Sequence, residues 1–265
     1  MTYEDIIYDR DETGIATITI NRPEKYNAFR PQTVDELVHA FQAAWRDRGC
    51  GVVILTGAGD KAFCTGGDQS ARGEGGGYSD TARSDLGIDI DDLHTIIRDI
   101  PKPVIAAVNG YAIGGGHVLH VLCDLTIAAD TAQFGQVGPK VGSVDPGFGT
   151  AYLARLVGQK KAREIWYLCR RYTAEEAREM GLVNTVVPKD RLMDEARAWA
   201  TEILQKSPTA LKLAKASFNA DTENIRGIAG IAMAGLALYY DTEESAEGTV
   251  AFQEKRAPDF NRFRK

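Results

Sequence analysis

The stretch Pro103-Val104-Ile105-Ala106-Ala107-Val108-Asn109-Gly110-Tyr111-Ala112-Ile113-Gly114-Gly115-Gly116-His117-Val118-Leu119-His120-Val121-Leu122-Cys123 reads as a buried strand running through a glycine cluster into a helix. Pro103 to Val108 is continuously apolar, as in a strand covered on both faces. Val52-Val53-Ile54-Leu55-Thr56 upstream and Leu125 to Ala128 downstream have the same character, and the β-branched run Ile15 to Ile20 precedes them. Between the strands, Thr33 to Arg48 carries Val34, Leu37, Val38, Phe41, Ala44 and Trp45 at helical spacing, and Leu93, Ile96 and Ile97 mark a short helix. Strand and helix alternating through Asp130 predict an α/β fold with a parallel sheet and crossover helices.

After Thr150 the strand signal nearly vanishes. Ala151 to Val157, Lys160 to Cys169, Thr173 to Met180, Arg191 to Gln205, Thr209 to Phe218, Gly230 to Tyr240 and Glu243 to Lys255 all read as helices. Thr173-Ala174-Glu175-Glu176 is a capping box that sets one helix start. The layout is a βα core, residues 1–190, followed by a helical region, 191–265, too small to stand alone.

Composition narrows the function. With 265 residues the chain can bury a large core without disulfides or a structural metal. Its 31 basic and 37 acidic side chains leave a formal charge of −6, which argues against nucleic-acid or anionic-membrane partners. No apolar run reaches the roughly 18 residues of a membrane span, and Met1-Thr2-Tyr3-Glu4-Asp5 lacks the features of a signal peptide. Cys50, Cys64, Cys123 and Cys169 are scattered, as reduced thiols of a cytoplasmic protein would be. The count of 27 glycines is high for the length and implies tight turns or close backbone approaches.

Two glycine clusters follow buried strands: Phe63-Cys64-Thr65-Gly66-Gly67-Asp68-Gln69 and Gly110-Tyr111-Ala112-Ile113-Gly114-Gly115-Gly116. Glycine leaves a backbone N–H bare, and two such groups facing each other make an oxyanion hole. Glycine-rich packing turns are the alternative on spacing alone. Neither cluster is followed by the Lys-Ser/Thr of a nucleotide-phosphate loop, and Gly-x-Gly-x-x-Gly is absent from both. The polar, glycine-rich segment from Gly66 to about Asp85, with Gly75-Gly76-Gly77, reads as a mobile surface loop. His117 and His120 form an HxxH pair with no third ligand nearby, so they read as packing residues rather than zinc ligands.

Asn21-Arg22-Pro23, Asn27-Ala28-Phe29, Phe63 to Asp68, Lys102-Pro103-Val104-Ile105-Ala106, Gly110 to Gly116 and Cys123-Asp124-Leu125 occur in the order and at the intervals of the crotonase (enoyl-CoA hydratase/isomerase) superfamily, which the chain resembles along essentially its whole length. The resemblance implies a spiral of ββα units, a helical C-terminal trimerisation region, and acyl-CoA thioester substrates. A homotrimer or a hexamer of two trimers is implied with it. No tightly bound cofactor and no metal are expected, coenzyme A being part of the substrate. The resemblance places the oxyanion hole at the N–H groups of Gly67 and Gly115. It points to Tyr26, Asn27 and Ala28 near the adenine, to Lys255, beside Arg256, near the phosphates, and to Thr65, Gly66, Asp68, Gln69, Tyr111 and Gly114 along the substrate channel.

Where hydratases of this family carry two glutamates, this chain has Val118 and Gly138, neither of which can move a proton. Asp145, in Gly142-Ser143-Val144-Asp145-Pro146-Gly147-Phe148-Gly149, is the acid that replaces them. Two branches of the superfamily share it. One is similar to 2-oxocyclohexanecarboxyl-CoA hydrolase, which opens a ring by carbon–carbon cleavage to pimeloyl-CoA. The other is similar to 1,4-dihydroxy-2-naphthoyl-CoA synthase of menaquinone biosynthesis, which closes one from succinylbenzoyl-CoA. The hydrolase is closer in Ser143 to Gly147, Ser217-Phe218-Asn219, Gly227 to Gly230 and Leu238 to Thr242; the synthase in Arg72, Tyr78 and His117 to His120. The expected roles are Asp145 as general base, Tyr240 at the ketone oxygen or as a proton donor, and Ser143 orienting Asp145 or the substrate. Gln136, Gly138 and Trp166 match a pocket that holds bicarbonate in the synthase and do not discriminate. A non-catalytic acyl-CoA-binding protein is the remaining alternative.

Overall fold

The structure, a computed structural model, describes residues 2–71, 78 and 82–264. Its strands are β1 (Ile6–Arg10), β2 (Ile15–Ile20), β3 (Val52–Gly57), β4 (Ala62–Cys64), β5 (Val104–Val108), β6 (Tyr111–Ile113), β7 (Leu125–Ala129), β8 (Gln133–Gly135), β9 (Tyr172–Thr173) and β10 (Thr185–Val187). Six form one sheet in the order β1-β2-β3-β5-β7-β10, and four form a second in the order β4-β6-β8-β9. Every pairing from β2 to β10 in the large sheet is parallel; only β1 runs against its neighbour β2.

The connectivity follows from the alternation of long and short apolar runs. β3, β5 and β7 are continuous hydrophobic segments and take central places in the large sheet. The chain then bends within a few residues, and β4, β6 and β8, three residues each, stack in parallel order on the small sheet. Each turn of the chain thus contributes one strand to each sheet, and this is the expected spiral of ββα units.

Helices α1 (Pro31–Arg46), α2 (Ile90–Asp99) and α3 (Gly115–Leu122) return the chain between turns of the spiral. The last third is helical as expected: α4 (Leu153–Val157), α5 (Gln159–Leu168), α6 (Ala174–Glu179), α7 (Leu192–Leu204), α8 (Pro208–Ala220), α9 (Glu223–Tyr240) and α10 (Glu243–Gln253). The Thr173 capping box is formed, its hydroxyl accepting from Glu176 N–H. β9 and β10 interrupt this region, too short to leave a periodic signal. Residues Phe148–Tyr152 form a wide π-turn ahead of α4. Leu192, Ala196 and Ala200 of α7 pack on Ile15, Ile54, Ile105 and Ile127, covering one face of the large sheet. Ile225, Ala229, Met233 and Leu236 of α9 join the principal core on the other side. Among the described residues no helix is long and apolar enough to cross a membrane.

Candidate active site

The two glycine clusters meet. Phe29 pairs with Gly67 as an isolated parallel bridge, its N–H donating to Gly66 O at 2.8 Å and its carbonyl accepting from Asp68 N–H at 2.8 Å. Gly66 sits at φ +85°, and a Cβ there would lie 2.8 Å from the amide nitrogen of Gly115. Gly116 backs onto β4 so closely that a Cβ would fall 1.9 Å from Cys64 O. Those approaches bring the backbones of Gly67 and Gly115 together at the start of α3, where the helix dipole adds to the field. Neither amide donates to a backbone or side-chain acceptor among the described residues. Arg22 braces the first loop: its guanidinium bonds Asp68 Oδ2 at 2.9 Å, while Ser70 N–H and hydroxyl bond Oδ1 at 3.0 and 2.6 Å. Burial alone would raise the Asp68 carboxyl, but these hydrogen bonds hold it below its ordinary value. Asp68 is a buttress of the turn.

A cavity of about 1050 Å³ opens over this amide pair. Its wall includes Ser143, Val144, Asp145, Met233, Leu236 and Tyr240. Met233, Leu236 and Tyr240 recur at i, i+3 and i+7, so α9 offers them on one face. Tyr240 Oη lies 2.8 Å from Ser143 Oγ. Asp145 Oδ1 is buried without a hydrogen-bond partner among the described residues. Burial pushes the carboxyl up to about 7, and the charge of Asp91 adds to the rise. Its Oδ2 stands 4.0 Å from His94 Nε2. A carboxyl whose ionisation is opposed by burial, on a cavity that also holds the Gly67 and Gly115 backbones, can take a proton from a nucleophile and give it back.

Most expected site residues line this one cavity: Tyr26, Ala28, Thr65, Gly66, Gly67, Asp68, Gln69, Tyr78, Tyr111, Gly114, Gly115, Gln136, Gly138, Ser143, Asp145, Trp166, Tyr240 and Lys255. The hydroxyl of Tyr78 packs over Gly67, 1.9 Å from where a Cβ would stand. Arg72 and the Gly75-Gly76-Gly77 run lie outside the described residues. Asn27 is placed differently from the expectation of a coenzyme contact. It is fully buried, its amide donates to Ala58 O and Ala62 O at 2.9 and 2.7 Å, and its Oδ1 accepts from Arg22 N–H at 2.9 Å. The turn, with φ +55° at Asn27, spends the whole side chain on backbone groups, one of its own turn and two of the β3–β4 connection. Arg256 also lines the cavity beside Lys255, its guanidinium paired to Glu247 at 2.6 Å and Glu254 at 2.7 Å.

Val118 is fully buried in the core, and Gly138 touches the cavity only with backbone. Trp166 Nε1 donates to Gly149 O at 2.6 Å and Gln136 Nε2 lies 3.3 Å from His117 Nδ1. His117 and His120 pack edge to face at 4.9 Å, and burial pushes both far below the ordinary imidazole range. Sequence reasoning missed His94, the apolar wall formed by Val144, Met233 and Leu236, and the rim cations Lys25, Lys140 and Arg171. The i, i+3, i+7 spacing on α9 is a signal that finds the wall. An isolated histidine on a short apolar helix gives none.

A ββα spiral that brings two glycine loops and a buried carboxyl to one cavity defines the class of protein. The sequence profile of the enoyl-CoA hydratase/isomerase family matches residues 10–263, and the chain belongs to that family, the crotonase superfamily, whose enzymes act on acyl-CoA thioesters. It is 27% identical to an enoyl-CoA hydratase from Mycobacterium avium subsp. paratuberculosis, with a TM-score of 0.86 over 98% of this chain and 99% of the other. An enoyl-CoA hydratase from Bacillus anthracis is 34% identical, with a TM-score of 0.75 over 97% and 98%. A carnitinyl-CoA hydratase from Mycobacterium avium is 30% identical, with a TM-score of 0.83 over 97% and 98%.

Proposed function

We propose that this enzyme opens a cyclic β-keto acyl-CoA, 2-oxocyclohexane-1-carboxyl-CoA, by hydrolytic carbon–carbon cleavage to pimeloyl-CoA. The observation that carries this reading is Asp145: a carboxyl pushed up to about 7 by burial, in one cavity with the Ser143–Tyr240 pair and the Gly67 and Gly115 backbones, while the neighbouring Asp68 is held by Arg22 and Ser70. Hydration of an enoyl thioester in this family relies on two glutamates, and the corresponding residues are a core valine and a glycine.

A β-keto thioester splits only after its ketone becomes tetrahedral. Asp145 takes a proton from water as the oxygen of that water bonds to the ketone carbon, and the ketone oxygen becomes an alkoxide beside Tyr240 Oη. Collapse re-forms the C=O and breaks the bond to the α-carbon. The electron pair passes to the α-carbon and is delocalised onto the thioester oxygen, which the Gly67 and Gly115 amides receive. Protonation of the α-carbon by the Asp145 carboxyl returns the enolate to a thioester and leaves a new carboxylic acid at the other end. Each oxyanion donor contributes about 3 kcal/mol in comparable sites. Val144, Met233 and Leu236 suit an uncharged alicyclic ring. Lys25, Lys140, Arg171 and Lys255 on the lining suit the phosphates of coenzyme A. We further propose that the chain assembles as a trimer or a dimer of trimers.

The synthase reading draws on Tyr78 over Gly67. Against it, the indole N–H of Trp166 is already given to Gly149 O and the Gln136 amide faces His117, which leaves less for a bicarbonate ion. Incubation with 2-oxocyclohexane-1-carboxyl-CoA, followed by mass spectrometry, is expected to show pimeloyl-CoA. Ring closure of succinylbenzoyl-CoA with no pimeloyl-CoA would establish the synthase instead. Hydration of crotonyl-CoA would return the chain to ordinary hydratases, and tight acyl-CoA binding without turnover of any of the three would mark a non-catalytic binder.

A further inference from the structure

His94 is fully buried on α2, and both ring nitrogens lack a hydrogen-bond partner among the described residues. An unsatisfied buried polar group costs free energy, and unlike Arg98 one turn on, which is buried but bonded to Thr222 and Glu223, His94 sits among the buried Ile90, Leu93 and Ile97 with no partner of its own. A leucine would pack there at no such cost. What distinguishes the position is its neighbour: Nε2 points at Asp145 Oδ2 across 4.0 Å, a gap that a small rotation of either side chain closes to hydrogen-bonding distance. Phe148 stands edge-on to the imidazole at 6.1 Å and limits its swing. Gly149 closes the other side, where a Cβ would fall 2.9 Å from Asp145 Cβ.

We propose that His94 is a positioning residue for Asp145, its Nε2–H donated to the ionised carboxylate so that the base keeps one orientation and its charge is stabilised inside an apolar wall. The proposal rests on the role given to Asp145 above. Burial holds the imidazole neutral, down to about 3, so the ring supplies a hydrogen bond and not a positive charge. Other charges around the pair work differently. Asp91 on α2 opposes ionisation of Asp145. Arg98, further along α2, lies behind Phe148, its guanidinium 5.7 Å from that ring and bonded to Thr222 and Glu223. Asp35 of α1 is directed to Asp89 and Arg83. His117 and His120 of α3 engage Gln136 and Thr126, and Tyr240 of α9 meets Ser143.

The test titrates the purified, unliganded full chain by infrared difference spectroscopy, with the carbonyl stretch of protonated Asp145 assigned by its loss in Asp145→Asn. Replacing the ring by an apolar one in His94→Phe removes the donor, so the midpoint is expected to rise by about one pH unit. His94→Gln, which keeps an N–H, is expected to restore most of that difference. A midpoint in His94→Phe within about 0.2 of the wild type would overturn the proposal. A measurement on the wild type alone guards against misfolded variants: ring nitrogen chemical shifts of His94 are expected to report the Nε2–H tautomer and to move with the Asp145 midpoint. A ring indifferent to pH, or protonated at Nδ1, would equally remove His94 from this role. Both readouts concern the protein without substrate, so they succeed or fail independently of whether ring opening is found.

Discussion

Asp145 is at odds with the fold that surrounds it. Its carboxyl belongs near 3.8 in an unfolded chain and is pushed up to about 7 by burial in the native one. The folded state therefore binds this proton more tightly. Stability from the protonated group is complete below about 4, is lost progressively as pH rises, and is gone above about 7. Each unit of difference corresponds to about 1.4 kcal/mol, so Asp145→Asn is expected to be more stable than the wild type at pH 8, by a few kcal/mol, and no more stable at pH 4. Urea unfolding at the two pH values measures this, and equal midpoints at pH 8 would mean the carboxylate is better solvated than its surroundings indicate. Turnover of the same variant is expected to fall by about 10² to 10⁴, with acyl-CoA affinity within a factor of about ten. The glycine runs and the absent glutamates leave a mark in the order of residues, but Asp145, Ser143, Tyr240 and the pairing of the two glycines came into view only through the family resemblance; the structure brings all of them to one cavity. His94 was not legible, since one histidine among apolar helix positions reads as an ordinary buried face. Asn27 misled for a related reason: a motif gives the residue, and only its hydrogen bonds to Arg22, Ala58 and Ala62 show that its amide is used up inward.

The elements that bring these residues together are joined by a buried cation. Arg98, 2% exposed on α2, bonds Asn219 O at the end of α8, Thr222 Oγ1 at 2.7 Å and Glu223 Oε2 at 3.1 Å at the start of α9. The helix carrying His94 is thereby fixed to the helix carrying Tyr240. Arg98→Met keeps much of the packing volume but removes the guanidinium that bonds Thr222, Glu223 and the Asn219 carbonyl together, so unfolding free energy is expected to drop by about 3 kcal/mol. The same change loosens the register of α9 against the Ser143 loop, and kcat is expected to fall with KM little changed. Denaturant titration and steady-state kinetics check the two parts; a stability loss with kcat intact would show that Tyr240 is placed by its own contacts. Long elements were legible here because α1, α7 and the central strands repeat their apolar positions over three turns or a full strand length. The second sheet was not: strands of two or three residues cannot display a period, and β4, β6 and β8 are defined by partners distant in sequence.

At the scale of the molecule, the distribution of exposed apolar side chains is uneven. On α9, Ile228, Ile231 and Leu238 form a stripe opposite the buried Ile225, Ala229, Met233 and Leu236, and Ile231 is 81% exposed. Gly227, Gly230 and Gly235 on the same helix have no atom near the position of a Cβ. Phe218 on α8 and Phe252 on α10 extend the apolar surface to 78% and 56% exposure. A helix that is apolar on two faces needs two partners, and one chain supplies one. The helical end was expected to be an assembly surface only through the family resemblance, because periodicity tells a buried face from a solvated one but not whose core it enters. The proposed assembly places copies of this chain on the second face. Sedimentation at micromolar concentration is expected to give three or six times 28.9 kDa. Ile231→Glu is expected to reduce this to the monomer mass, since a carboxylate cannot be desolvated against an apolar neighbour without several kcal/mol of cost. Because Ile231 is exposed in the single chain, the substitution leaves the core untouched, and the circular dichroism spectrum is expected to stay unchanged. A variant that sediments like the wild type would mean that this stripe faces water in the assembled enzyme and that the contacts lie elsewhere.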